Sequence, residues 1–415
     1  MERWLHTPVG MSAQRWVTRP GCRTVLVVVH SVACAQRLMD AVALIQADTR
    51  VQAVFTAAPS VFTRGVREWL ADLDCVEIPW EQAEQTRFDL ALAASYWGIE
   101  RVHAPLVLLP HGAGFGKFMT PALTGAAAAP RQTFGLDRQR LVHDGRVVPS
   151  ALVLAHESER DRLAASCPEA LPCAEVVGDP VADRLAEALR APARFRAALG
   201  LAGGERLALV LSTWGRHSLI GARPDLVARL AQEAREHDGW RAALLMHPNV
   251  WAGHGAWQLR AWTADWRASG LIVPGQRTDC AGLLAAADAV LGDHGSTTLY
   301  AALTGRPVAV AAAGGADVDP GSPMAGLLAR APRIPERGPV LPCLESLPPG
   351  GPGGHLDGAA ARITSQPGRF AERMRRLLYD RLELPEPPWA PRLPATGTAP
   401  LRAAAAEAAR GGADA

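Results

Sequence analysis

The stretch Ala287–Val310, ADAVLGDHGSTTLYAALTGRPVAV, decides the fold. Its apolar run Ala289–Gly292 predicts a short buried strand that ends at Asp293. A turn follows, and Ser296 or Thr297 is placed to cap a helix that Gly305 and Arg306-Pro307 bring to a stop. The next strand starts at once, at Val308. Strand, tight turn, helix and strand make the repeating unit of a parallel α/β sheet. The same stretch is a candidate anion site. Free N–H groups and the dipole at the helix start favour a phosphate, and the two hydroxyls add donors. The plainer alternative, compatible with the first, is that Ser296 only caps the helix and His294 is exposed.

Working outward, short apolar runs alternate with amphipathic stretches such as Leu226, Val227, Leu230 and Ala234. Strands are expected at Thr24–His30, Val51–Ala57, Phe88–Ser95, Pro105–Leu109, Ala151–Ala155 and Ala174–Val177. The second half adds Leu207–Ser212, Arg241–Met246, Leu271–Val273, Ala289–Gly292 and Val308–Ala312. Eleven strands are too many for one ordinary doubly wound sheet, and the pattern pauses near Gly178–Gly204. The fold class is therefore α/β, with two Rossmann-like domains in tandem and a hinge from Gly178-Asp-Pro180 to Pro192. The expected domains are 1–190, 191–384 and a flexible Pro/Ala-rich tail, 385–415. Pro335–Gly358 is expected to be a long surface loop.

Composition narrows the function classes. Of 415 residues 48% are hydrophobic and 20% charged, enough for a large core and against a mostly disordered chain. A net charge of +2 marks neither a nucleic-acid binder nor a membrane-surface binder. Among 43 basic residues Lys117 alone is a lysine. Seven cysteines with no CxxC pair read as reduced thiols of a cytosolic protein. Arg19, Arg23, the run Val25–Val29 and Ala33-Cys-Ala35 imitate an export signal, but His30 interrupts the run and a helical pattern follows, so a first strand is expected.

Four loops after strands carry candidate chemistry. The first is His111-Gly112-Ala113-Gly114-Phe115-Gly116-Lys117, where the glycines let the backbone approach a ligand and His111 can exchange protons near neutral pH. Counting excludes a P-loop, since His111 and Phe118 stand where Gly and Ser/Thr are required, and the spacing also misses GxGxxG. A glycine turn with a solvated histidine is the alternative. The second loop is Asp293–Thr297. The third, Ser212-Thr213-Trp214-Gly215-Arg216-His217, gathers hydroxyl, guanidinium and imidazole. The fourth is His247-Pro248-Asn249, at a strand end that proline closes. Each of the last two reads equally well as a structural turn. Asp72-Leu-Asp74 and Asp317-Val-Asp319 match a DxD metal pattern too short to be informative, and no essential protein-bound metal is expected. Trp251, Trp257, Trp262 and Trp266 are expected to pack helices.

With Val177-Gly-Asp-Pro-Val-Ala-Asp183 at the hinge, the HG loop, the Thr-Trp loop, the strand-end His-Pro and the Asp-x-x-Ser turn before Gly-Arg-Pro-Val, the chain resembles the GT-B transferases. The nearest type is the CDP-glycerol glycerophosphotransferases, with nucleotide-sugar 2-epimerases as cousins, over about residues 100–312. The resemblance implies two Rossmann-like domains facing each other across a cleft, the donor nucleotide held mainly by the second. It implies His111 as base on the acceptor hydroxyl, and His247 and the hydroxyls of Ser296 and Thr297 on the donor phosphates. The loops themselves add Thr213, Arg216, Asp293, His294 and Gly295 on the donor side, with His247 expected to act in catalysis together with His111. Gly112, Gly114, Gly116 and Lys117 form an acceptor-side loop, in which Lys117 is placed to steady the acceptor's negative groups or the leaving diphosphate. Two departures stand out: the usual HGT reads His111-Gly112-Ala113, and the tandem-serine turn reads Asp293-His294-Gly295-Ser296.

The expected function is transfer of a glycerol-phosphate or sugar group from a nucleotide-diphosphate donor to a hydroxyl acceptor, in cell-envelope polymer, glycan or glycoconjugate synthesis. No bound cofactor is expected, because the donor is a substrate. The expected location is cytoplasmic, with peripheral contact at the inner membrane face as an option. The alternatives are a 2-epimerase-like enzyme, for which no obvious carboxylate pair is seen, and a GT-B module that binds nucleotide or a partner without turnover.

Overall fold

The computed structural model spans residues 1–415 and describes all but 1–3, 6, 10–12, 14–15, 119–130, 314–316, 351–352 and 414–415, and the side chains of 411–413. The chain forms two compact units. Unit 1 comprises 1–115, 130–180 and 364–394, and unit 2 comprises 116–129, 181–363 and 395–415.

Unit 1 is built on a six-stranded parallel sheet. Its strands are β1 (Arg23–Val29), β2 (Val51–Ala57), β3 (Leu90–Ala93), β4 (Leu106–Leu108), β7 (Ala151–Leu154) and β8 (Ala174–Val176), in the order β2-β1-β3-β4-β7-β8. A small antiparallel pair, β5 (Val142–His143) and β6 (Arg146–Val147), lies apart from it. The run that imitates an export signal is β1, buried on both faces. Val25, Val27 and Val29 enter one core, while Leu26 and Val28 enter the other. Such double burial produces unbroken apolar runs and not an alternating pattern. Ser31 then starts the helix Val32–Val42, its Oγ accepting from the Cys34 N–H at 3.2 Å.

Unit 2 carries β9 (Arg206–Ser212), β10 (Trp240–Met246), β11 (Ala289–Gly292) and β12 (Val308–Val310), all parallel, in the order β10-β9-β11-β12. The expected strand Leu271–Val273 shrinks to a single bridge, Ile272 to Ala243, because Pro274 cannot continue the ladder. Another bridge joins Arg333 to Val310 on the far side. Counted with those outer segments, the strands of unit 2 run 3-2-1-4-5-6, the Rossmann order. With Glu77 bridged to Phe55, unit 1 has the same order and one strand more.

Three expectations need correction. The helix Phe370–Leu382, placed by its sequence position in the second domain, belongs to unit 1. Its apolar stripe (Phe370, Met374, Leu377, Leu378) joins the core of β1 and the helix Val32–Val42, and the Tyr379 hydroxyl donates to Asp48 Oδ2 at 2.7 Å. The stretch Pro335–Gly358 is more than a surface loop, since Val340, Leu341 and Leu344 are buried in the unit 2 core; its residues 351–352 lie outside the described ones. The tail is not a loose end either. Residues 385–394 fall in unit 1, and Ala399–Ala413 is a helix on the unit 2 helices Pro192–Ala198 and Ala264–Ala268, with Glu407 3.0 Å from Arg267.

Leu401 is buried in that last helix. Leu401→Ala should therefore destabilise unit 2 by about 2–5 kcal/mol, as buried leucine truncations do. A urea midpoint unchanged from wild type would show that the helix contributes nothing.

Candidate functional site

In a sheet of Rossmann order, the loops on either side of the reversal in strand order diverge and leave a crevice at the carboxyl ends of the strands. In unit 2 the reversal lies between β9 and β11, so the crevice is bounded by the loops that start at Thr213 and Asp293. The Asp293 carboxylate, fully buried, ties them together. Its Oδ2 accepts the N–H groups of Thr213 (2.8 Å) and Leu219 (2.9 Å), and its Oδ1 accepts that of Gly295 (2.9 Å). Its own N–H donates to Thr298 Oγ1 at 3.2 Å. Burial pushes the carboxyl up to about 6, against the three amides and the Lys117 charge, which hold it down.

Small residues make this loop possible. A Cβ on Gly292 would stand 2.2 Å from Thr298 Oγ1, and one on Gly295 would stand 3.0 Å from the Thr213 Cβ. Gly295, in extended conformation, is the N-cap of the helix Ser296–Ala301, without a side-chain cap bond. The cap expected at Ser296 or Thr297 is thus displaced, because Gly295 is drawn to Asp293 and Ser296 becomes the first helical residue. The hydroxyls of Ser296 and Thr297, half-buried, have no hydrogen-bond partner among the described residues. Their amides, in the first turn, have no carbonyl within the helix to donate to. Asp293 and Gly295, expected on the donor phosphates, have their polar groups committed to each other and to Thr213 and Leu219. They shape the site.

His294 is 8% exposed, and its Nδ1 has no partner. Burial lowers its pKa to about 4, with Lys117 and His217 acting in the same sense, so the ring is neutral at physiological pH. In the neighbouring loop Thr213 is buried, while Arg216 and His217 are exposed, Arg216 Nε donating to His217 Nε2 at 2.9 Å. At the end of β10, next to β9, the His247 N–H donates to Ser212 O at 2.9 Å. Its Nδ1 accepts from the Asn249 N–H at 3.0 Å, so the neutral ring carries its proton on Nε2. Of the tryptophans, Trp251 is buried and Trp266 half-buried, whereas Trp257 and Trp262 are exposed, contrary to the packing role expected of all four.

The His111 loop divides. His111–Phe115 belongs to unit 1, after β4, one strand removed from that sheet's own reversal between β1 and β3. His111 is exposed. The Gly112 carbonyl accepts from Arg37 Nη2 at 2.9 Å, and Arg37 is buried 3.4 Å from the buried Asp179. Glu159 fixes the rest: its Oε1 accepts from Phe115 N–H (3.1 Å) and its Oε2 from Ala155 N–H (2.7 Å). Gly114 has φ +63°, and a Cβ there would stand 1.9 Å from Glu159 Oε1, so glycine is required. Gly116 and Lys117, expected on the acceptor side with them, belong to unit 2. There Lys117 bridges Val318 in antiparallel fashion, Phe118 N–H donates to Asp317 O at 2.8 Å, and Asp319 N–H donates to Gly116 O at 3.1 Å. Arg37 and Glu159 were not singled out in the sequence, and Asp179 entered only as part of the hinge motif. His30, read only as the break in an apolar run, is buried at the unit 1 reversal and donates from Nε2 to Trp97 O at 2.7 Å. No sequence signal separates these acids and bases from surface ones.

No protein-family model and no curated protein matches the chain. Solved structures do. It is similar to Staphylococcus aureus MnaA bound to UDP, with 11% identity over 91% of this chain and 100% of that one and a TM-score of 0.52. A Listeria monocytogenes protein assigned as a UDP-N-acetylglucosamine 2-epimerase matches at 15% identity over 89% and 100%, TM-score 0.52. The wall teichoic acid polymerase TagF soaked with CDPG matches at 11% over 70% and 69%, with a TM-score of 0.42. Identities this low establish the fold alone, and that fold is GT-B, two Rossmann-like α/β units.

The Asp293 carboxyl makes a test of the site's framework. Its pKa, raised in the folded state from 3.8 to about 6, means that folding favours its protonated form. Its contribution to stability is therefore full below pH 4 and lost as pH rises to about 6, on the order of 3 kcal/mol. That slope should vanish in Asp293→Asn, and denaturation curves between pH 4 and 7 that stay parallel for the two proteins would refute it.

Proposed function

From the GT-B fold we propose that the chain is a transferase that takes a sugar or glycerol-phosphate group from a nucleotide-diphosphate donor and passes it to a hydroxyl acceptor. The observation that carries the reading is the unit 2 crevice. Two loops, locked together by Asp293, leave the Ser296 and Thr297 hydroxyls and two first-turn amides without partners, where a sheet of this order binds ligands. Arg216 adds positive charge and His247 an Nε2 proton. As the bond to the donor breaks, the nucleotide leaves with its electron pair, and these groups stabilise the developing negative charge. His111, on unit 1, accepts the proton of the acceptor oxygen as that oxygen bonds to the transferred group. No resident cofactor or metal enters this scheme, and its place is the nucleotide-containing cytoplasm, in synthesis of cell-envelope or other glycans. MnaA and the Listeria protein keep an epimerase in view. Transfer is favoured in that three of the carboxylates at the candidate loops are already engaged: Asp293 and Glu159 are held by backbone amides and Asp179 faces Arg37.

Two variants test the reading. Ser296→Ala combined with Thr297→Ala should weaken nucleoside diphosphate binding in calorimetry, each lost bond to a charged phosphate being worth roughly 1.5–3 kcal/mol before water restores a part. His111→Ala should keep donor affinity and lose roughly 10²–10⁴-fold in turnover. A folded double variant with wild-type affinity, or a His111→Ala protein with wild-type turnover, would remove the corresponding role.

A further inference from the structure

Lys117 is the single lysine of the chain, and its neighbours are unexpected for a residue six positions after His111. The segment Gly116–Phe118 is held by unit 2 through its antiparallel pairing with Asp317–Asp319. That pairing brings the ammonium within electrostatic range of Asp293 and His294 at the reversal of the unit 2 sheet. It is exposed in area yet closely surrounded. Desolvation lowers its pKa, and the Asp293 and Asp317 carboxylates pull it back. Among the described residues it makes no ion pair within 4 Å. Many of the arginines on this chain do pair. Within that range His294 is buried with Nδ1 unsatisfied, and a buried donor or acceptor left without a partner costs about 1–3 kcal/mol. Unit 2 thus holds an ammonium without an ion pair and an orphaned ring nitrogen within electrostatic range of each other.

We propose that Lys117, together with His294, binds the diphosphate of the donor nucleotide, and that Lys117 reads the second phosphate in particular. The inference rests on the donor site proposed in unit 2 and, of the two roles the sequence leaves to Lys117, acceptor groups or leaving diphosphate, it selects the second and names the phosphate. A flexible ammonium is a point charge suited to an anion with several oxygens, whereas the buried Asp293 carboxylate is already saturated by amides. A phosphate oxygen also supplies His294 with the partner it lacks, on a turn of the ring. The competing role is purely structural, in which Lys117 offsets the negative charge of Asp293 and Asp317.

The experiment is calorimetry on the full chain with UDP and CDP, each against its monophosphate, for wild type, Lys117→Met and Lys117→Arg, with thermal unfolding alongside. Lys117→Met should lose roughly ten-fold or more in diphosphate affinity while monophosphate affinity changes less than about three-fold, and Lys117→Arg should recover most of the loss. A Lys117→Met protein that keeps the wild-type ratio of diphosphate to monophosphate affinity overturns the proposal, and a lowered Tm with that ratio intact assigns Lys117 the structural role. Wild type that binds none of the four nucleotides, nor the adenosine, guanosine and thymidine diphosphates, defeats the donor site itself, a result distinct from failure of Lys117 alone.

Discussion

The Asp293 carboxylate is the contact on which the unit 2 site depends. A buried charge without partners is among the costliest things a protein can hold, so its three amide donors are a condition of its being there. The same bonds fix the two loops on either side of the sheet's reversal. Much of the local sequence follows from this one group. Gly292 leaves room for Thr298, Gly295 for Thr213, and Thr298 answers the Asp293 N–H. Loops held in this way present Ser296 and Thr297 without either hydroxyl being drawn into the framework.

Unit 1 reaches the same solution with a different acid. Glu159 accepts amides from the loops after β4 and β7, which are neighbouring strands, and so holds Phe115 against Ala155. Arg37 and Asp179 secure the other end of the loop at Gly112. In both units a buried carboxylate is a clamp on backbone. The groups that the proposed function uses are hydroxyls, imidazoles and cations, which suit a phosphate.

The strands were legible because burial on both faces leaves unbroken apolar runs, and ten of the eleven expected ones are found within a residue or two at their ends, the exception being the segment around Ile272. The order of those strands could not be read, since periodicity says that a segment is buried and not what lies beside it. The same gap explains Phe370–Leu382: an apolar stripe shows which face of a helix is buried without saying which sheet it covers. Lys117 was grouped with His111 by adjacency in the chain, and only the pairing of Gly116–Phe118 with Asp317–Asp319 separates them. The displaced cap at Gly295 is a subtler case. Ser is the better capping residue, but the pull of Asp293 on the Gly295 amide outweighs that preference.

The assembly of unit 1 from three separate stretches bears on the order in which the chain can mature. Its sheet is complete once β8 has been made, yet one face waits for Phe370–Leu382, almost two hundred residues later. At roughly 5–20 residues per second, the interval on a ribosome is on the order of 10–40 s. Throughout it, the apolar side chains of β1 and of the helix Val32–Val42 that this late helix covers are without their lid, and the last helix of unit 2 is still to come. Newborn chains of this protein therefore pass through a window in which the first sheet is formed but sticky, and a chaperone that shields apolar surface has its natural target there.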